Sequence, residues 1–135
     1  MTRARARIAI ASLAAACALA ACGSSPADDA TSTVKSYLDA FAKGDGKKAC
    51  SLMTAPTRAL FVVHARPLTH TGDCATAVAR LKPALSRAFK GVHVSQAKVA
   101  GSDAVVNVSA GNRLSPTLLH KEGGTWKVNA GPGTQ

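Results

Sequence analysis

Aromatic side chains are scarce in this 135-residue sequence, which holds one Trp, one Tyr and three Phe. Without them the scattered Lys and Arg residues lack the stacking platforms of a nucleic-acid surface, and no nucleic-acid partner is expected. Acids are few as well, seven against 17 Lys and Arg, and none stands between Asp45 and Asp73. From residue 92 to the end the only carboxylates are Asp103 and Glu122, both at predicted turns. Carboxylate-based acid–base chemistry therefore has little to work with. No Gly-rich phosphate loop occurs, because Gly44-Asp45-Gly46 reads as a connection between helices. His64, His70, His93 and His120 include no pair four residues apart, so a helical zinc motif is missing. No serine stands in a nucleophile-elbow setting. Neither a metal nor a cofactor is expected.

What is present begins at the N-terminus. Arg3, Arg5 and Arg7 precede an apolar run over residues 8–21, the layout of a secretory signal peptide. A membrane-spanning helix needs about 17–25 apolar residues, so this run is too short to be one. The run closes on Leu19-Ala20-Ala21-Cys22, followed by Gly23, which resembles a bacterial lipobox. The resemblance implies cleavage before Cys22, a diacylglycerol on its sulfur and an acyl chain on its amine. Each buried methylene adds about 0.8 kcal/mol, so several chains give stable anchoring at the cell membrane, on its extracytoplasmic face. The alternative is an ordinary secreted protein cut nearby. Residues 22–30 are small, polar and acidic, and read as a lipidated tether. Loss of three arginines lowers the formal charge from +10 to +7. A basic exported domain of this kind can meet anionic envelope polymers or lipid headgroups.

Cys17 lies in the discarded segment, which leaves Cys50 and Cys74 besides the anchor. An even pair in an oxidising compartment is expected to form a disulfide. The alternatives are a metal site built with His64 and His70, and a Cys–His nucleophile. The spacing fits no zinc pattern, and a bridged sulfur cannot attack.

Apolar residues at Val34, Tyr37, Leu38 and Phe41 mark a helix over residues 31–43, capped by Thr31 or Ser32 and stopped by Gly44. A second helix over 46–53 turns Ala49, Cys50 and Met53 inward. Pro56 starts a third, through Leu60-Phe61-Val62-Val63, read as buried helix. Residues 65–72 read as a loop around Pro67. Asp73 caps a longer helix that ends at Gly91, with Pro83 expected to kink or split it. The period then changes to two. A strand with a bulge or register change covers Val92 to Val99, and a second runs through Ala104, Val106, Val108 and Ala110. A third strand covers 117–121 with Pro116 at its start, Gly123-Gly124 makes a hairpin, and Trp126-Lys127-Val128 forms the fourth. Helices followed by an antiparallel meander give an α+β domain over residues 31–130, with a loose tail over 131–135.

The stretch Val34-Lys35-Ser36-Tyr37-Leu38-Asp39-Ala40-Phe41-Ala42-Lys43-Gly44-Asp45 resembles the opening helix of the nuclear transport factor 2-like superfamily, which includes ketosteroid isomerase. The ending, Lys121-Glu122-Gly123-Gly124-Thr125-Trp126-Lys127-Val128, resembles its last hairpin. With the cysteine pair and lipobox, the chain is similar to small actinobacterial lipoproteins on this fold, a group without established activity. The resemblance implies helices packed into a curved four-stranded sheet, a cone. It also implies a pocket-facing role for Tyr37, whose counterpart in the isomerases stabilises an oxyanion. That chemistry needs a carboxylate base, and the base is missing here. The expectation is a lipid-anchored, non-enzymatic domain that binds an apolar small ligand, an envelope polymer or a protein. The alternatives are a small hydrolase or isomerase working near Tyr37, and a cationic adaptor for anionic polymers or lipids.

Overall fold

Ser25 starts the first helix, and it does so by a reciprocal cap. Its hydroxyl accepts from the backbone N–H of Asp28 at 3.1 Å, and the Asp28 carboxylate accepts from the backbone N–H of Ser25 at 3.3 Å. Pro26 follows at the first helical position, where its missing N–H costs nothing. In the computed structural model, which describes residues 23–130, helix α1 therefore spans Pro26–Lys43. The expected cap at Thr31 or Ser32 is six or seven residues late, and the division after residue 30 falls inside a helix. Residues 26–30 lack apolar periodicity, so only the cap marked them. Ala30 and Thr31 are buried.

Helix α2 spans Gly46–Ser51, shorter than the expected 46–53, and Met53 instead forms a parallel bridge with Val128. Helix α3 spans Ala55–Thr69, capped by Thr54 with Pro56 in its first turn. It runs through Pro67, where a loop was expected. The last turn is held from within and from outside: Thr69 is buried, its hydroxyl donates to the Ala65 carbonyl of the same helix at 2.8 Å, and the Arg80 guanidinium of α4 donates to its carbonyl. These bonds outweigh the one that Pro67 cannot make. Helix α4 spans Cys74–Ala88 with Asp73 as N-cap, and Pro83 does not split it.

Five strands follow: β1 His93–Val94, β2 Lys98–Ala100, β3 Asp103–Ala110, β4 Arg113–Glu122 and β5 Thr125–Ala130. The order is β1-β3-β4-β5, with β2 also on β3, all antiparallel. The molecule is α+β, with four helices and a curled sheet forming a half-barrel. The expected bulged first strand is split in two. Val94 pairs Val108 and Lys98 pairs Val105, so the first edge carries one residue more than β3 between the same pairs. Strand β4 is ten residues long, with Pro116 inside it opposite Asn107. The backbone carbonyl of Asn107 accepts from Ser95 at 2.9 Å, and its N–H donates to the Ser95 hydroxyl at 3.1 Å. Asn107 is thus turned away from β4, and the nitrogen of Pro116 faces the opposite side. There β5 pairs β4 only from Leu118 onward. A proline is tolerated in a strand at such a position.

The inner sheet face presents Val106, Val108, Leu119, Trp126 and Val128, all buried, to Val34, Tyr37, Leu38 and Phe41 of α1. Burial of each such side chain contributes about 1.5–3 kcal/mol. The free edge of β5 is covered by the α2–α3 connection, where Val128 donates to the Leu52 carbonyl at 2.7 Å and Thr54 donates to Val128 at 2.9 Å. The edge thus offers little backbone for strand addition.

Candidate functional site

Tyr37, the residue expected to face a pocket, sits within a filled interior. Its ring meets that of Phe41 edge-on at 4.7 Å, and Phe41 meets Phe61 at 5.3 Å and Phe89 at 6.3 Å in the same manner. The chain thus spends four of its five aromatics on one cluster at the wide side of α1. Only 7% of Tyr37 is exposed. Burial pushes its phenol well above the ordinary value, because the charged form would lose its water. An oxyanion-binding tyrosine needs space in front of its hydroxyl.

Tyr37 lines none of three hollows on the described surface. One of about 240 Å³ lies between α1 and β1, with Lys35 and Asp39 at its edge and Leu38, Phe89 and Val92 in its wall. A smaller one of about 120 Å³ lies on the other side of Phe89 and Val92, bounded by Val108 and Arg113. The third, about 510 Å³, is a shallow trough between α3 and the start of α4, with Arg58 beside Asp73 and Cys74. The side-chain hydrogen bond from Thr76 holds the Asp73 carboxyl below its usual range. That carboxylate is exposed and accepts from both the backbone N–H and the hydroxyl of Thr76, which caps its own helix.

The cysteines and histidines are kept apart. Cys50 and Cys74 form the expected disulfide, which ties α2 to the first turn of α4. Neither sulfur is a nucleophile or a metal ligand in this state. His64 and His70 are exposed on α3 and at its left-handed cap, and His93 is exposed on β1. His120 meets Asp103 at 2.7 Å across β4 and β3, on the outer sheet face and half in solvent. Among the described residues no three His, Cys, Asp or Glu side chains come together as a metal site. None of the four histidines shares the interior with Tyr37.

Sequence reading missed the outer surface of α3. It treated Leu60-Phe61-Val62-Val63 as buried, yet only Phe61 and Val62 are partly buried, and Leu60 and Val63 are exposed. The periodicity held the signal, since the inward positions of this helix are Thr57, Ala65 and Thr69. Cys22, the expected lipidation site, lies outside the described residues, as does the 131–135 tail. No described helix is long and apolar enough to cross a membrane. No protein-family model, curated protein or solved structure matches this chain.

Proposed function

We propose that this protein is a lipid-anchored, extracytoplasmic domain that acts by binding through its outer surface and not by turnover. The observation that carries the reading is the closed interior. Val106, Val108, Leu119, Trp126 and Val128 fill the concave sheet face against Tyr37 and Phe41, where a cone enzyme would hold substrate. The helix-then-sheet order supports placing the domain in the nuclear transport factor 2-like superfamily, a fold that hosts enzymes and binding domains alike. The lipobox-like Leu19-Ala20-Ala21-Cys22 supports an anchor at Cys22. The surplus of Lys and Arg supports an anionic envelope polymer or lipid as partner over a neutral one.

Mass spectrometry of the chain made in a lipoprotein-processing bacterium tests the anchor. The expected product begins at Cys22 and carries a diacylglyceryl group and an amide-linked acyl chain, and Cys22→Ala abolishes both. An unlipidated mature chain overturns the anchor. Tyr37→Phe tests the choice between binding and turnover, because a surface-binding domain keeps its partner when the buried hydroxyl is removed. A defined substrate whose turnover is lost in Tyr37→Phe overturns that part of the reading.

A further inference from the structure

Between Cys22 and the cap of α1 at Ser25 stand only Gly23 and Ser24. Three residue steps of fully extended chain reach about 10 Å. A free tether up to Thr31, as the sequence suggests, would reach roughly 30 Å. A compact domain of about 100 residues has a radius of gyration of about 13 Å. The longer tether would let such a domain turn over against a surface, and the shorter one does not.

The start of α1 has no slack to return to the tether. Ser25 and Asp28 cap each other, and Pro26 holds the first helical position. Ala30 and Thr31 are buried, the Thr31 hydroxyl accepts the N–H of Ala97 at 2.9 Å, and Gln96 donates to the Asp28 carboxylate at 2.9 Å. The first turns of α1 are therefore fixed to the break between β1 and β2. The opposite edge of the sheet lies three strand spacings away, because Lys98 pairs Val105, Val105 pairs Leu118 and Leu118 pairs Ala130. At about 4.8 Å per spacing that is about 14 Å along the sheet. Helix α3 lies beyond it, with the Thr57 hydroxyl on the Asn129 carbonyl.

We propose that the start of α1 and the β1–β2 edge form the membrane-facing side of this protein, and that the β5–α3 side is held away from the bilayer, where a partner can reach it. This rests on the reading of Cys22 as a lipid anchor and deepens it, because the anchor then orients the domain as well as retaining it. Charge does not draw this side to the membrane. Asp28 and Asp29 stand in the first turn of α1, and anionic headgroups attract bases, not acids. The contact is imposed by the shortness of the linkage. Strand β2 is exposed at all its positions, and a bilayer on that side keeps strands of other chains from pairing with it.

The test uses the lipidated chain, purified from membranes and verified by mass, in vesicles that carry nickel-chelating headgroups. Processing removes Cys17, the lipid occupies the sulfur of Cys22, and Cys50 is bridged to Cys74. One added cysteine is then the only free thiol, and it takes a spin label. The label on Lys98→Cys should be strongly relaxed by the surface nickel. The label on Val63→Cys, an exposed position of α3, should match its nickel-free control. About twelve Gly and Ser residues inserted between Gly23 and Ser24 should bring the two labels to equal relaxation, since such a linker spans about 20 Å on average. Equal relaxation without the insertion, stronger relaxation at Val63→Cys, or a contrast that survives the longer linker overturns the proposal. In each of these cases the lipid is present by mass and the anchor reading stands. A chain without lipid overturns both.

Discussion

The hydroxyl of Thr31 accepts the backbone N–H of Ala97 at 2.9 Å while it donates to the Ala27 carbonyl at 2.7 Å. One side chain thereby joins the second turn of α1 to the break between β1 and β2. One turn earlier, Gln96 donates to the Asp28 carboxylate at 2.9 Å, and this bond holds the Asp28 carboxyl below its usual range. The interruption of the first strand exposes backbone that the start of α1 satisfies. What the sequence presents as a tether is the piece that closes this edge of the sheet.

Replacing Thr31 by Val should therefore cost more than a surface change. The Ala97 N–H would be left buried without a partner, at about 1–3 kcal/mol. Thr31→Ser keeps the hydroxyl and should lose only about the 0.8 kcal/mol of a methyl group. Urea unfolding of the two variants checks this. Equal losses would mean that the bond to Ala97 contributes nothing.

Much of this architecture was legible from short-range signals. The inward positions Val34, Tyr37, Leu38 and Phe41, the alternation of Ala104, Val106 and Val108, and the Gly123-Gly124 hairpin each follow from local periodicity or turn chemistry. Three features were not legible because their causes lie elsewhere in the chain. Pro67 stays helical because Arg80, on α4, holds the carbonyl of Thr69. Pro116 sits inside a strand because Ser95 turns Asn107 away from it. Leu60 and Val63 were taken for core because an apolar run does not reveal which of its sides faces solvent. Tyr37 was correctly placed on the inner face of α1, but the packing in front of it depends on Phe61 and Phe89, far away in sequence.

Gly46 shows the same long-range dependence at a single atom. A Cβ there would lie 2.1 Å from the carbonyl oxygen of Ala75 and 2.5 Å from its Cα, both backbone atoms that cannot swing aside. Ala75 follows Cys74, and the disulfide to Cys50 ties the same two helices together. Gly46→Ala should destabilise by about 1–3 kcal/mol or more. The penalty should shrink when the disulfide is reduced, since α2 and α4 can then part slightly. A double-mutant cycle with Cys50→Ala and Cys74→Ala measures the coupling, and additivity would show that the bridge does not enforce the close approach.

The disulfide itself should be a major contributor to stability. It closes a loop with a sequence separation of 24, for which chain entropy predicts about 3.5 kcal/mol. In a domain of this size that corresponds to a drop in Tm of more than about 10 °C on reduction. Calorimetry with and without reductant reads it directly. A change of only a degree or two would mean that residual structure between these segments already restrains the reduced, unfolded chain.

The burial of Tyr37 can be read optically, because it is the one tyrosine in the sequence. Phenolate absorbance near 295 nm therefore follows this residue alone. Unfolded in urea, it should titrate near its ordinary value of 10.0, while in the folded chain burial holds the proton to higher pH. A folded-state value above the unfolded one means that stability is complete below about pH 10 and declines as pH rises beyond it. Tyr37→Phe has no phenol to ionise and should lack this part of the decline, so the two proteins should diverge only on the alkaline side. A native phenol that titrates at the ordinary value would mean that solvent reaches the hydroxyl through the Phe41, Phe61 and Phe89 cluster. The interior would then be open in solution, and a substrate could stand where the hydrophobic side chains now pack.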